Sequence, residues 1–288
     1  MPLTPTLDIL HAARSAGAGV GAFNVVLLET AEALVRAAEC TRMPIVLQIS
    51  ENCVAYHGGL RPVARATLAL ADAATVPVAV HLDHAELPDL AFEAIDLGFG
   101  SVMYDGSRLA VDENIATTQR VVAHAHAAGV AVEAELGEIG GKDGAHAPHV
   151  RTDPIEAACF VDATGVDALA VAVGSSHAMT ARTAALDVDL IARIRAAVDV
   201  PLVLHGSSGV PDDTIVAGIR AGLVKINVST HLNSAFTSVV REMLDSDETT
   251  VDPRRYIGRA RSAVADEAAR MLRVFRAAGA TLEGAVGA

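Results

Sequence analysis

The sequence predicts a closed (β/α)8 barrel (a TIM barrel), and three observations lead to that fold class. Eight short apolar runs rich in Val, Ile, Leu and Ala alternate with segments of helical periodicity, as in a parallel sheet covered by helices. The 288 residues suffice for one such barrel of about 250 residues with extra N-terminal and C-terminal helices. A polar residue follows each run, which is typical of the catalytic rim of a barrel. An open doubly wound sheet is the alternative, but no Gly-x-Gly-x-x-Gly motif follows the first strand.

The strands and helices are predicted in strict alternation along the chain. The strands are residues 20–23 before Asn24, 44–49 before Ser50, 76–80 leading to Asp83 and His84, 100–104 before Asp105, 130–134 before Glu135, 168–173 before His177, 201–204 before His205, and 224–226 before Asn227. The helices are residues 6–16, 29–41, 61–74, 88–97, 111–128, a helix starting at Asp153-Pro154, 190–198 and 212–221. One domain over residues 1–288 is expected, with a helical extension from about residue 245 to 288.

Composition excludes several classes of partner. The net charge of −13 argues against nucleic acid and anionic membranes, so an anionic substrate would need backbone amides, arginines or a metal. The three scattered cysteines indicate reduced cytosolic thiols rather than disulfides. The first residues have no basic leader, and no run reaches about 18 apolar residues, so a cytoplasmic protein without membrane spans is predicted.

The third predicted strand ends in an aspartate and a histidine side by side. Strand alternation sends His81 and Asp83 to the same side, so His84 joins them only if the strand stops there and the chain turns. A capping aspartate beside a hydrogen-bonded histidine is the structural alternative.

Three histidines far apart in sequence would meet if the barrel closes. His84, His177 and His205 follow the third, sixth and seventh strands, and neutral imidazoles with one open position suit a catalytic zinc ion. Glu135 could be a fourth or alternative ligand. Singly, each histidine could equally be a buried, hydrogen-bonded core residue.

Two loops have the composition of phosphate-binding loops. Gly206-Ser207-Ser208-Gly209 follows the seventh strand and Asn227-Val228-Ser229-Thr230 the eighth, where barrels commonly bind phosphate. Small residues let backbone N–H groups approach an anion, which the following helix N-terminus also favours. Ordinary turn chemistry, with Ser229 or Thr230 as N-cap, is the alternative.

Five motifs together carry a family resemblance. They are His81-Leu82-Asp83-His84, Val132-Glu133-Ala134-Glu135-Leu136-Gly137, His177, Leu204-His205-Gly206-Ser207-Ser208-Gly209 and Lys225-Ile226-Asn227-Val228-Ser229-Thr230. In content and order this set resembles the class II ketose-bisphosphate aldolases, over nearly the whole chain. The resemblance implies a zinc-dependent aldehyde-lyase, a homodimer or homotetramer, that reversibly cleaves fructose or tagatose 1,6-bisphosphate into dihydroxyacetone phosphate and glyceraldehyde 3-phosphate. Fructose 1,6-bisphosphate is the expected substrate, with tagatose 1,6-bisphosphate or another phosphosugar as the alternative.

The resemblance also implies a role for each motif residue. Asp83 is the base, His84, His177 and His205 hold Zn2+, and Asp105 and Glu135 offer an alternative or second metal position; a monovalent cation is a further expected cofactor. The remaining expected substrate contacts are Asn24, Ser50, the backbone of Ala178, Gly206, Ser207, Ser208, Asn227, Val228, Ser229, Thr230 and Arg254, the last lent by a neighbouring subunit.

One loop departs from the family pattern. The family has Gly-Gly-x-Glu-Asp, whose Glu takes part in proton transfer, where this chain has Gly140-Gly141-Lys142-Asp143-Gly144. Asp143 is the expected counterpart, with Glu138 as a substitute. In addition, Ala178 replaces a glycine of the family and crowds a backbone N–H that would approach phosphate.

Three other functions remain open. A Schiff-base aldolase needs a strand-borne lysine, and of the two lysines, Lys142 and Lys225, only Lys225 lies on a strand. That mechanism leaves the histidines unexplained. A metal-dependent hydrolase would use Asp83 to activate a zinc-bound water, but two phosphate loops count against it. A non-catalytic aldolase-like subunit would be expected to lack zinc ligands.

Overall fold

The computed structural model describes residues 3–136, 151–177 and 179–280, and the strands in these ranges form one closed parallel barrel, in the order β1 to β8. The predicted (β/α)8 barrel is confirmed. The strands are β1 (Val20–Asn24), β2 (Ile45–Ser50), β3 (Val78–Ala85), β4 (Ser101–Tyr104), β5 (Ala131–Glu135), β6 (Ala168–Ala170), β7 (Leu202–Leu204) and β8 (Leu223–Val228). The helices are α1 (Thr6–Ser15), α2 (Leu28–Thr41), α3 (Glu51–His57), α4 (Arg61–Ala73), α5 (Pro88–Leu97), α6 (Val111–Ala127), α7 (Pro154–Thr164), α8 (Val188–Ala197), α9 (Asp212–Ala221), α10 (Thr230–Ser246) and α11 (Pro253–Ala280).

The structure differs from the sequence prediction at two elements. The short helix α3 was not predicted; Ser50 begins it as an N-cap, accepting a hydrogen bond from the Cys53 amide at 3.3 Å. Strand β6 ends at Ala170 rather than at residue 173. Beyond it, Val171 still donates to the Val203 carbonyl at 3.1 Å, while Ala172 on the other side pairs with Thr152, through the Thr152 amide at 3.0 Å and the Thr152 hydroxyl at 2.8 Å.

The two ends of the barrel interior have different chemistry. The N-terminal end is apolar and is closed by α1, whose Ile9 and Leu10 pack in one cluster with Ala22 and Val46. Towards the C-terminal end the buried side chains become polar. They are Gln48, His81, Asp83, Glu133, Glu135, His205, Lys225 and Asn227.

Two helices follow the last strand. α10 continues directly from β8, and α11 lies against α2, α9 and α10 through buried residues such as Val264, Leu272 and Phe275. Phe275 stacks on Phe23 of β1 with ring centroids 6.5 Å apart. The predicted extension from about residue 245 thus contains α11 and the last residues of α10, and the single-domain organisation stays a prediction. Among the described helices, none combines the length and apolarity that a membrane span requires.

Candidate active site

A kink in β3 turns neighbouring side chains into one cleft. His84 has φ 54°, a left-handed conformation that is uncommon for a residue with a side chain, and the pairing of β3 with β4 shifts between Leu82 and Ala85. In a regular strand Asp83 and His84 would point to opposite faces. The sequence suggested that His84 would enter the cleft only if the strand stopped there and the chain turned; the chain does turn at His84, but through a bulge, and β3 continues to Ala85.

The Asp83 carboxylate is held by three side-chain amides. Its Oδ2 accepts hydrogen bonds from Asn24 Nδ2 at 3.1 Å and Gln48 Nε2 at 3.3 Å, and its Oδ1 accepts from Asn227 Nδ2 at 3.4 Å. Burial raises the pKa of Asp83, but the nearby His84, with smaller contributions from other cationic groups and the Asn24 bond, outweighs burial and lowers the pKa below its usual value. Asp83 is therefore an oriented carboxylate that can accept a proton.

Three histidine rings converge beside Asp83. The ring centroid of His84 lies 5.2 Å from that of His177 and 4.5 Å from that of His205. One nitrogen of each ring lies within 4.8 Å of a nitrogen of each other ring. A second group of candidate ligands, His84 with Asp105 and Glu135, meets the same distance limit. The structure thus brings together the five residues for which metal binding was predicted.

The hydrogen bonds of two of these rings show that the site fits a cation. His84 Nδ1 lies 2.7 Å from Asp105 Oδ2 and His205 Nε2 lies 2.9 Å from Glu133 Oε1, so each of these nitrogens carries the ring proton. The opposite nitrogens, His84 Nε2 and His205 Nδ1, face each other at 2.8 Å with a hydrogen bond between them. Burial lowers the pKa of His84, but the nearby Asp83 and the hydrogen bond to Asp105 raise it to about 8, so the site favours a positive charge at this ring. A metal ion can take the place of the proton between the two nitrogens, and a carboxylate behind each imidazole is the usual support of a metal-binding histidine.

A buried ion pair lies under the histidines. Lys225 Nζ donates to Glu133 Oε2 at 2.7 Å, and both side chains are almost fully inaccessible, at 0% and 3% exposed. His81 accepts from Lys225 at 3.4 Å through Nε2 and is bound to Ser101 Oγ at 2.7 Å through Nδ1. Burial and the neighbouring Lys225 lower the pKa of His81 well below its ordinary value, so its ring is neutral. These groups hold the carboxylate that orients His205.

The loop after β7 requires a glycine at its first position. Gly206 has φ 66°, and a Cβ there would lie 2.5 Å from the Ser176 carbonyl carbon. The next three residues form a 3₁₀ turn, in which the Ser207 hydroxyl donates to the Asn227 carbonyl. Ser208 accepts from the His231 amide at 3.1 Å, which joins the turn to the start of α10.

The start of α10 does not show ordinary capping. Ser229 occupies the N-cap position but makes no side-chain capping hydrogen bond. The small residues after β7 and β8 therefore border the same cavity without being explained by local helix capping.

A cavity of about 170 Å³ unites these elements. Most of the predicted residues line it, namely Asn24, Ser50, Asp83, His84, His177, His205, Gly206, Ser208, Asn227, Ser229 and Thr230. Asp105 lies behind His84, while Glu135, Ser207 and Val228 are buried nearby without lining the cavity. Asp143 and Ala178, together with Lys142 and Glu138, lie outside the described residues.

Arg254 does not line this cavity. Its side chain is 88% exposed at the start of α11 and pairs with Asp252 at 2.7 Å. Its predicted contact with a neighbouring subunit's substrate stays a prediction.

Sequence reasoning gave no role to three residues of the site, Gln48, Asn52 and Glu133, and considered Lys225 only as a Schiff-base lysine. Gln48 and Asn52 line the cavity, and the Oε1 atom of Gln48 is buried without a hydrogen-bond partner among the described residues. Glu133 and Lys225 form the pair under the histidines. A signal was present for Glu133, because in a strand it must share a face with Glu135 two residues later.

Comparisons with known proteins agree with this geometry. Residues 4–280 match the model of the family "Fructose-bisphosphate aldolase class-II". The chain belongs to this family. It is 40% identical to a fructose-bisphosphate aldolase of Thermus caldophilus, over 96% of this chain and 99% of the relative. It is 39% identical to one of Geobacillus stearothermophilus, over 97% and 99%.

A solved aldolase structure has the same fold as this chain. The YdjI aldolase of Escherichia coli K12 superposes with a TM-score of 0.83 at 32% identity, over 95% of this chain and 97% of that one. The class II aldolase chemistry expected from the sequence motifs is thus matched at the level of the family and of the barrel.

Proposed function

We propose that this class II aldolase reversibly cleaves fructose 1,6-bisphosphate into dihydroxyacetone phosphate and glyceraldehyde 3-phosphate, with Zn2+ as its metal. The observation that carries the proposal is the pair of imidazole nitrogens, His84 Nε2 and His205 Nδ1, that face each other at 2.8 Å, each ring with a carboxylate behind it, in a cavity bordered by two loops of small residues. That arrangement combines a cation site with the backbone-lined loops that phosphate groups require.

Asp83 is the proposed base. It accepts the proton of the C4 hydroxyl, the O–H electrons form the aldehyde C=O bond, and the electron pair of the broken C3–C4 bond stays with the dihydroxyacetone fragment at C3. The amides of Asn24, Gln48 and Asn227 fix the carboxylate, so that little reorganisation is needed when it takes up the proton.

The histidines would hold the metal near that fragment. Zn2+ bound by His84, His177 and His205 would supply Lewis-acid stabilisation of the negative charge that develops when the C3–C4 bond breaks. Asp105 and Glu135 would offer an alternative metal position, and a monovalent cation would be a further cofactor. The proton that C3 later receives is assigned to Asp143.

The two ends of the substrate would be bound differently. The loops that contain Gly206 to Ser208 and Asn227 to Thr230 would bind the phosphate of the dihydroxyacetone half, with the backbone of Ala178. Asn24 and Ser50 would contact the reacting end, and Arg254 of the partner subunit would bind the other phosphate. The functional unit is therefore proposed to be a homodimer or homotetramer, in the cytoplasm.

Lys225 is poorly placed for Schiff-base chemistry. It is completely buried, pairs with Glu133 and does not line the cavity. Its amine is engaged by the Glu133 carboxylate beneath the histidines and does not face a carbonyl in the cavity.

The decisive experiment measures triose phosphate formation from fructose 1,6-bisphosphate before and after metal removal. EDTA should abolish cleavage and zinc should restore it, while borohydride in the presence of substrate should trap nothing. Activity that resists the chelator and is trapped by borohydride would overturn the metal mechanism. The same assay with tagatose 1,6-bisphosphate tests the substrate, since faster cleavage of that C4 epimer would replace fructose bisphosphate in the proposal.

A further inference from the structure

The loop between β6 and α8 is locked onto the turn that follows β7. The Ser175 hydroxyl donates to the His205 carbonyl at 2.6 Å, and the Ala184 amide donates to the Gly209 carbonyl at 2.9 Å. Cβ atoms at Gly206 and Gly209 would lie about as close as 2.5 Å to Ser176 and Met179, so the two segments approach without room for side chains. The loop that carries His177 and the turn that borders the cavity therefore move as one unit.

Arg182 closes the outer side of this contact. Its Nε and Nη2 donate to the Val210 carbonyl at 3.0 and 2.6 Å, and Nη2 also donates to Asp212 Oδ1 at 2.5 Å. A planar guanidinium can bind a carbonyl and a carboxylate together in this way, whereas an ammonium group cannot reproduce the fork.

Asp212 connects Arg182 to a chain of charged groups that returns to the cavity. Its other oxygen accepts from Arg270, which also binds Glu267 at 2.9 Å. Glu267 accepts from His231 Nε2 at 2.6 Å, and the amide of the same His231 donates to Ser208 in the turn after β7. The chain thus has two arms, one ending at the loop of His177 and one ending at the first turn of α10.

These charged side chains are 22% to 39% exposed, so solvent screens them and their contribution to global stability is small. Burial opposes ionisation, but hydrogen bonds from Arg270 hold the pKa values of Asp212 and Glu267 below their usual range. Both groups are therefore carboxylates at neutral pH, and the chain of ion pairs is intact there.

We propose that Arg182 and Glu267 are positioning residues for the two sides of the site. Arg182 holds both the loop of His177 and the turn after β7 in place, so it supports metal binding and phosphate binding. Glu267 orients His231, and with it the Ser208 hydroxyl, so it supports phosphate binding alone. This inference rests on the proposed function, because it takes the turn after β7 to bind a substrate phosphate.

The test compares Arg182→Met and Glu267→Gln in the full-length zinc enzyme. Arg182→Met should raise the KM for fructose 1,6-bisphosphate about tenfold and raise the zinc Kd, measured with a competing chromophoric chelator, by a similar factor. Glu267→Gln should raise KM roughly threefold to tenfold and leave the zinc Kd within about twofold. In both variants kcat at saturating substrate should fall less than KM rises.

Three controls separate positioning from a general loss of structure. Arg193→Met removes an exposed arginine from α8 and should leave KM and the zinc Kd unchanged. Arg182→Lys keeps the charge without the fork and should recover only part of both effects. In the pair Arg182→Met and Asp212→Asn, the double variant should raise KM by less than the product of the two single effects, because both changes break the Arg182–Asp212 contact.

The outcomes decide the proposal. Equal KM in Arg182→Met and wild type, additive effects of Arg182→Met and Asp212→Asn, or loss of zinc in Glu267→Gln would each overturn it. A wild-type enzyme that does not cleave fructose 1,6-bisphosphate would instead overturn the proposed function, while the difference in zinc Kd between the two variants would still test the positioning of His177.

Discussion

The two sides of the cavity are built in opposite ways. On the metal side, side chains of the barrel strands supply the chemistry, and their partners are buried charges such as Glu133 and Lys225, at 3% and 0% exposed. On the side proposed to bind phosphate (the phosphate side), small residues occupy turns, and the support comes from ion pairs such as Arg182 with Asp212 that solvent reaches.

From this difference we expect substitutions on the two sides to affect different measured properties. A buried charge cannot lose its partner without a large penalty, because no water replaces the partner. A solvent-exposed ion pair can be lost at little cost to stability, so its effect should appear in the geometry of the turn it holds. Substitutions on the metal side should therefore lower kcat and the free energy of unfolding, whereas substitutions on the phosphate side should raise KM.

The largest effect is expected from Asp83→Ala on the metal side. Removing the base should lower kcat at least about 10²- to 10⁴-fold, the usual contribution of general base catalysis, while the histidines keep the zinc. Steady-state kinetics and metal analysis check the two parts. Loss of zinc from this variant would show Asp83 to be a metal ligand and would contradict its assignment as the base.

The next effect concerns the ion pair beneath the histidines. Lys225→Met should lower the free energy of unfolding by roughly 3–5 kcal/mol, because it leaves the Glu133 carboxylate buried without its cation. Glu133→Gln in the Lys225→Met background should restore much of this stability while zinc affinity stays about 10- to 100-fold weaker, since His205 loses its carboxylate. Urea unfolding and chelator competition measure both. A double variant no more stable than Lys225→Met would contradict the account of the pair.

Two glycines with similar backbone conformations test how much the close contact at the turn after β7 contributes. Gly206 and Gly58 have φ of 66° and 70°, but a Cβ at Gly206 would clash with Ser176, whereas at Gly58 no atom of the described residues lies within 4 Å. Gly58→Ala should cost about 1–2 kcal/mol from its backbone conformation alone. Gly206→Ala should cost roughly 2–5 kcal/mol, because overpacking adds to the same conformational cost, and should raise KM. Equal losses in the two variants would show that the close contact with the β6–α8 loop is unimportant.

The smallest effect is the pH dependence of the exposed network. Burial alone would raise the folded-state pKa of Asp212, but hydrogen bonds from Arg270 and Arg182 outweigh burial and lower this pKa. Its contribution to stability is therefore present above the unfolded-state pKa near about 4 and is lost as pH falls through the folded-state pKa. The stability difference between wild type and Asp212→Asn should be below about 1 kcal/mol at pH 7, since Asp212 is partly exposed, and should shrink towards pH 3.

Thermal or urea unfolding of both proteins across this pH range gives the measurement, with Asp213→Asn in the same helical turn as the control. A difference that grows as the pH falls would contradict the assigned sign. It would also contradict the claim that the ion pairs on the phosphate side are screened by solvent while those on the metal side are buried.

The sequence by itself determined the fold and the composition of the site. Apolar runs such as that of β2, each followed by a polar residue, are local patterns that predict strand ends at one rim, and His84, His177 and His205 could be recognised there by residue type. The loops proposed to bind phosphate could be selected for the same reason, because Gly206 and Ser208 follow shortly after a strand.

Tertiary structure decided what depends on contacts between distant residues. The bulge at His84, with φ 54°, depends on its pairing with β4, and the partnership of Glu133 with Lys225 joins residues 92 positions apart. The contact of Arg182 with Val210 likewise exists only because the loops after β6 and β7 lie side by side. Local periodicity shows which face a side chain takes, but the free energy of a buried or shared contact depends on the partner that the closed barrel brings to it.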